Sequence, residues 1–281
     1  MKKPITSVNY GFKKTLSGIG SLFSSRVFLN IVIIFLLCGF AVCMLSINSW
    51  RSENETSNGV IKNITDKYDK DENLFPDKDP GKEDYYKELK FMTIDINPLK
   101  NENPDTVAWI KIPAVNVSFP VVQADDNDYY LNYNFKKEKS EAGWIYANNN
   151  CGFTPIGYNT MIFGHARKDR SMFGPILSLM NKSYYKDYKN HYVWLNTSDT
   201  KMIFQIYSIY YMERKEVDTL ISYFVNKDSF ARYIDKTMQL NLVPDVNYKA
   251  TADDKILTLM TCRNTHQSYI IHARLVRSEP L

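Results

Sequence analysis

Signals for metal or disulfide chemistry are thin in this chain. It contains four cysteines, and two of them, Cys38 and Cys43, lie inside an apolar run, which leaves Cys151 and Cys262 outside it. There is no CxxC pair and no HxxxH spacing, which argues against a metal site. Nothing else in the chain demands a metal or an organic cofactor. Cys151 and Cys262 could pair in an oxidising compartment, but that bond would silence a reactive thiol. Internal repeats and low-complexity tracts are missing, which sets aside repeat arrays. The net charge of +4 is too small to imply nucleic acid as a partner. Glycine is modest (11) beside abundant tyrosine (20), a balance that suits strands more than a helical bundle. What is present is ordinary for a folded protein: 44% hydrophobic and 23% charged residues in a chain of 281, enough for one or two domains with a real core.

The N-terminus has an address. Residues 1–26 carry Lys2, Lys3, Lys13, Lys14 and Arg26 and no acidic residue. Residues 27–47 are then apolar apart from Asn30 and a few small residues, with no charge. As a helix this run is roughly 30 Å long, about one hydrocarbon core. Basic residues ahead of it predict a cytoplasmic N-terminus and a translocated C-terminal portion. The run is too long for the core of a cleaved signal peptide, and no small-x-small site follows it, so we expect an uncleaved anchor. Residues 48–90 are polar and dense in charge, as in Asp69-Lys-Asp-Glu72, and predict a linker. Glu83 to Leu89 is a candidate for a helix against the domain, and the folded part is expected over 91–281.

Within that part, Asn103 to Pro113 reads as a turn followed by a strand, and further short strands are predicted at 115–122, 143–147, 160–163, 191–195 and 201–212, from apolar alternation and turn residues. Ser171 is expected to cap a helix from Met172 to Met180. Residues 229–240 carry a helical stripe: Phe230, Tyr233, Ile234, Thr237, Met238 and Leu240. Two further strands, 256–262 and 268–276, flank a short polar loop. Many short strands with a few inserted helices predict a mainly β fold, a closed or nearly closed barrel.

The chemistry centres on Cys262, a thiol at the end of an apolar strand beside a loop, where a substrate can reach it. A cysteine nucleophile needs a group to favour the thiolate or to hold a proton for the leaving group, and donors for the oxyanion. Among four histidines, His165 follows a strand and a glycine and opens a polar loop, a position that can face a groove. His266 is a competitor in the loop after Cys262. His191 and His272 are expected to be structural, His272 as a wall residue of the last strand.

These residues resemble a known family. Thr258-Leu-Met-Thr-Cys262 is similar to the T-L-x-T-C signature of sortases, and Asn159-Thr-Met-Ile-Phe-Gly-His165 to their histidine strand. Trp109-Ile-Lys-Ile-Pro113, Phe119-Pro-Val-Val-Gln123 with Asp126 to Leu131, Met172-Phe-Gly-Pro-Ile-Leu177, the 229–240 helix and Ile271-His-Ala-Arg-Leu275 resemble class B. The resemblance covers roughly residues 85–281 and implies a sortase-like barrel and a cysteine transpeptidase on the outer face of a Gram-positive membrane. Its partners would be secreted proteins with a C-terminal sorting signal and the amine of a peptidoglycan precursor. Cys262 would attack the peptide carbonyl to form a thioester, and His165 would act as acid and then as base. One departure stands out. Sortases carry an arginine at the start of the last strand, and here that place holds Ser268. Arg263 and Ser268 are the candidates for oxyanion or substrate contact. Arg274 is about 20 Å along the strand from Ser268.

Overall fold

The computed structural model describes residues 26–70, 72–262 and 264–281, and the side chains of all of these but 218 and 219. The expected cytoplasmic segment 1–25 and the candidate Arg263 therefore lie outside the described residues. The chain divides into two compact units, Met1–Asn54 and Glu55–Leu281.

The described part of the first unit is helical. It opens helix α1, Arg26–Tyr68, long and apolar enough to cross a membrane by length and composition. Its large apolar side chains from Leu29 to Trp50 are exposed, and this stretch carries no charge.

The second unit is a closed barrel of eight strands in the order β1-β2-β3-β4-β7-β8-β6-β5, with β5 pairing back to β1. The strands are β1 Thr106–Ile112, β2 Val117–Val122, β3 Tyr146–Ala147, β4 Asn159–Phe163, β5 Tyr192–Asn196, β6 Thr200–Glu213, β7 Ile256–Cys262 and β8 Gln267–Pro280. Closure removes exposed sheet edges. The expected strands are present, and β8 runs past its expected end because β6 pairs with it as far as Pro280. Helices of this unit are α2 Tyr85–Glu88, α3 Asn97–Glu102, α4 Tyr129–Asn132, α5 Lys182–Tyr185 and α6 Lys227–Gln239. In α6 the Asn226 side chain accepts the Ser229 N–H at 2.9 Å, a reciprocal cap. Ser229 is thus a capping partner inside the helix.

Two expectations meet a different arrangement. Of the stretch expected as a linker, residues 55–90 are built into the second unit: α1 continues to Tyr68, and Val60, Ile64, Leu74, Tyr85 and Leu89 are buried. Val60 and Ile64 sit one helical turn apart and, with Ile61 and Tyr68 packed beside them, form the apolar stripe of an otherwise polar helix segment. Asp69 then takes Lys111 Nζ and Ser118 Oγ, each at 2.6 Å. The second concerns Ser171, which caps no helix. It donates through N and Oγ to Asp169 at 3.0 and 2.7 Å. Met172 has φ +53°, outside helical space, and a 3₁₀ turn begins at Gly174, where Pro175 lacks an N–H to give.

Candidate active site

Strands β4, β7 and β8 build the site by register. β4 and β7 are parallel, with Met161 beside Thr258 and Phe163 beside Met260. β7 and β8 are antiparallel, with Thr258 opposite His272, Met260 opposite Ile270, and Cys262 opposite Ser268. Side chains alternate along a strand and neighbours in register share a face. Leu257, Leu259, Ile271 and Ala273 fill the barrel core. The other face carries rungs: Met161–Thr258–His272, then Phe163–Met260–Ile270, then Cys262–Ser268.

The register continues past the end of β4. Gly164 N donates to Met260 O at 3.2 Å, and Thr261 Oγ1 donates to Gly164 O at 2.6 Å. Gly164 therefore lies beside Thr261, and His165 beside Cys262. Neighbouring strands are about 4.8 Å apart, so this continued register sets the His165 backbone next in line to that of Cys262. Both residues are half-buried. The turn needs a glycine before the histidine, because a Cβ on Gly164 would stand 2.4 Å from Ile145 Cδ1 and 2.9 Å from Phe173 Cγ. His165 Nε2 lies 2.9 Å from the carbonyl of Leu131, and Phe173 N donates to His165 O at 2.9 Å.

The candidates fare differently. Cys262 and Ser268 face each other across β7 and β8, His165 follows the end of β4 beside β7, and Ser268 is buried. Arg274 stands opposite Ile256, at the other end of β7, where Nη2 donates to Gln205 Oε1 at 2.9 Å. Arg167, two residues beyond His165, pairs with Asp169 at 3.6 Å. His266 is exposed in the loop, its Nδ1 2.8 Å from Thr265 Oγ1. Cys151 and Cys262 are both free thiols. Burial raises the Cys151 pKa. Tyr146, opposite Phe163 on β3, has its phenol raised by burial first, then by the charges of Asp128 and a Cys262 thiolate.

A domain model described as "Sortase domain" matches residues 110–276. Sortase B of Listeria monocytogenes is 29% identical over 192 residues, 65% of this chain and 74% of that protein. Sortase B of Staphylococcus aureus is 27% identical over 184 residues, 64% and 73% of the two chains. Among solved structures, Clostridium perfringens sortase B superposes with a TM-score of 0.60 at 32% identity, covering 64% of this chain and 98% of that one. A Staphylococcus aureus sortase B–substrate complex superposes with a TM-score of 0.59 at 25% identity, over 65% and 84%.

This chain belongs to the sortase B family. It is a member of a family of cysteine transpeptidases, and its eight-stranded barrel with inserted helices is the sortase fold.

Lower on the same face, this sortase has a buried polar chain. Thr258 Oγ1 donates to Asn159 Oδ1 at 2.7 Å, so His272 Nδ1, 2.8 Å away, is the donor to Thr258. His272 Nε2 then accepts from Tyr210 OH at 2.9 Å. Burial pushes the His272 pKa down to about 3, so the ring is neutral. Asn159 Nδ2 donates to Ile221 O at 2.8 Å and to Tyr233 OH of α6 at 3.3 Å. Nearby, a cavity of about 420 Å³ is lined by Asn148, Met161 and the loop from Leu220 to Tyr223, and Tyr223 and Val225 beside it are strongly exposed.

Sequence reading placed His272 on the strand but not its chain of partners. It also passed over Gly164 and Gly143 as structural requirements of the histidine. A glycine directly before a candidate catalytic residue, or before the strand that lines it, was the available signal.

Proposed function

We propose that this sortase is membrane-anchored, with residues 1–26 cytoplasmic, residues 27–47 spanning the bilayer and the barrel on the outer face. It cleaves the C-terminal sorting signal of secreted proteins and transfers them to an amine of a peptidoglycan precursor. Cys262 is the nucleophile and His165 the general acid and base. The observation that supports this reading is the register at one end of β4, β7 and β8, where Cys262 pairs with Ser268 and Gly164, next to His165, bonds to Met260 and Thr261. The thiolate attacks the peptide carbonyl, His165 protonates the departing amine, and the thioester keeps the acyl group reactive toward a second amine. A peptide would lie along the uncovered part of this face, toward the loop at Leu220–Tyr223. The sortase B–substrate complex from Staphylococcus aureus supports a peptide substrate of this kind.

The test uses the full chain in detergent micelles with a library of sorting-signal peptides. Intact-mass spectrometry should find an acyl adduct on Cys262, and Cys262→Ala should show none. An added amine should convert the adduct to the aminolysis product in preference to hydrolysis. Ser268, in the place of the family's arginine, favours one second reading: a catalytically weak sortase-fold protein that binds peptides. Saturable peptide binding with no adduct at neutral pH would select it over the first.

A further inference from the structure

The imidazole of His165 has one edge against a wall of backbone. Its Nε2 lies 2.9 Å from Leu131 O. A carbonyl oxygen accepts and never donates, so Nε2 carries a proton. The neighbouring ring carbon, Cδ2, faces Gly143. A Cβ added there would stand 3.1 Å from Cδ2, 2.9 Å from Leu131 O and 2.5 Å from Tyr130 O. Gly143 also has φ +56°, the left-handed region that a residue with a side chain rarely adopts. Two backbone hydrogen bonds fasten the wall: Gly143 N to Ser140 O at 3.1 Å, and Trp144 N to Tyr130 O at 2.8 Å. Gly143 leads into the segment of β3, on one side of β4, and β7 with Cys262 is on the other side. The Cδ2–Nε2 edge thus faces the wall, which leaves Nδ1 as the ring nitrogen turned away from it.

We infer that Gly143 and the Leu131 carbonyl are positioning groups that fix His165 as its Nε2–H tautomer and assign every proton transfer of the reaction to Nδ1. This rests on the reading of His165 as the acid–base group. In acylation the Cys262 sulfur forms a C–S bond to the peptide carbonyl carbon and the C–N bond breaks. The proton on Nδ1 of the imidazolium passes to the departing amine nitrogen. The ring is left neutral with its remaining proton on Nε2. In transfer the incoming amine forms a new C–N bond and gives a proton to Nδ1, and the C–S bond breaks to restore thiolate and imidazolium. Nε2–H stays on Leu131 throughout, so the ring never turns between the two half-reactions. Glycine at 143 is what lets the carbonyl and the ring edge approach together.

The experiment is ¹⁵N NMR of the full-length, histidine-labelled protein in detergent micelles. Four histidines keep the spectrum simple, and His165→Gln identifies the signal. In the neutral ring, a protonated-type shift at Nε2 and a bare-nitrogen shift at Nδ1 are expected. A proton on Nδ1, or an even mixture of tautomers, overturns the inference. Gly143→Ala should mix the tautomers and lower kcat for acylation of Cys262 by about 100-fold, the scale expected for a misplacement of about 1 Å, with KM changed by less than about threefold. Gly157→Ala, with nothing within 4 Å of its added Cβ, should leave both readouts unchanged. If Gly143→Ala fails to fold, an ester linkage at Asn132 weakens the same carbonyl as an acceptor without adding a side chain. An unchanged tautomer and rate in that protein overturn the inference. Loss of acylation in His165→Ala together with an Nδ1–H tautomer overturns this inference and leaves the acid–base reading standing. A wild-type rate in His165→Ala overturns both.

Discussion

His165 and His272 occupy the same face of the same group of strands, two rungs apart, about 13 Å along the sheet. They have become opposite kinds of residue. His272 is fully buried, with donors and acceptors matched at both nitrogens and an aromatic setting of Tyr207, Tyr210 and Tyr233. His165 is half-buried, with one edge set by Leu131 and Gly143 and Nδ1 turned away from them. What separates them is cover. Helix α6 and the Phe224 segment lie over the lower rungs, where Phe224, Phe230, Tyr233 and Ile234 pack with Ile256. At the upper rung Cys262 is not closed off. A strand face becomes a polar lock where a helix excludes water from it, and a place for chemistry where a groove is left.

The comparison breaks most sharply at the upper rung. His165→Ala should lower the rate of Cys262 acylation by about a thousandfold, within the usual range for a general acid–base group, with thermal stability nearly unchanged. Stopped-flow acylation and a melting curve measure the two. Ser268→Ala should cost less, about tenfold in kcat, if its hydroxyl supplies one neutral hydrogen bond to the reacting carbonyl. An unaltered rate would remove Ser268 from that role.

At the lower rung the expected effect is on stability and its pH dependence. His272 is neutral when folded, with a pKa pushed down to about 3, and takes up a proton near pH 6.5 when unfolded. The unfolded state therefore binds more protons as pH falls below about 6.5, and stability declines toward pH 3. The contribution is complete above pH 6.5 and costs about 2 kcal/mol by pH 5. Denaturation of His272→Gln across pH 4.5–7 should show a slope shallower by about one proton. Some slope remains through His191, whose pKa burial also lowers. An unchanged slope would show that His272 is already charged in the folded protein. The smallest effect is expected at the other thiol outside the apolar run. Cys151→Ser should leave acylation within about twofold, since Cys151 is buried and its thiol makes weak bonds, accepting from Met161 N at 3.3 Å and donating to Asn159 O at 3.7 Å. Peptide mapping after brief alkylation should find label on Cys262.

Much of the barrel was legible in the sequence, because period-two alternation and turn residues are local signals. Strands such as Thr106–Ile112 and Ile256–Cys262 declare themselves within seven residues. Helix α6 was legible from its stripe. The docking of residues 55–90 was not, since Val60, Ile64, Leu74 and Leu89 are scattered among charges and only their distant partners reveal the pattern. Ser171 misled because a serine before apolar residues looks like a cap, whereas the positive φ of Met172 and the placement of Pro175 answer to the turn after His165.

The amino-acid order alone determined the apolar run long enough for a membrane, the strands, and the identities of the thiol and the imidazole. Those properties depend on residues close in the chain. It could not decide that Cys262 faces Ser268 across β7 and β8, that the β4 register leads His165 toward the same end, that His272 is sealed beneath α6, or which edge of the His165 ring is held. Each of these depends on inter-strand register and on which segment covers which face. Register is set by barrel closure across residues almost a hundred positions apart, and no local pattern carries that information.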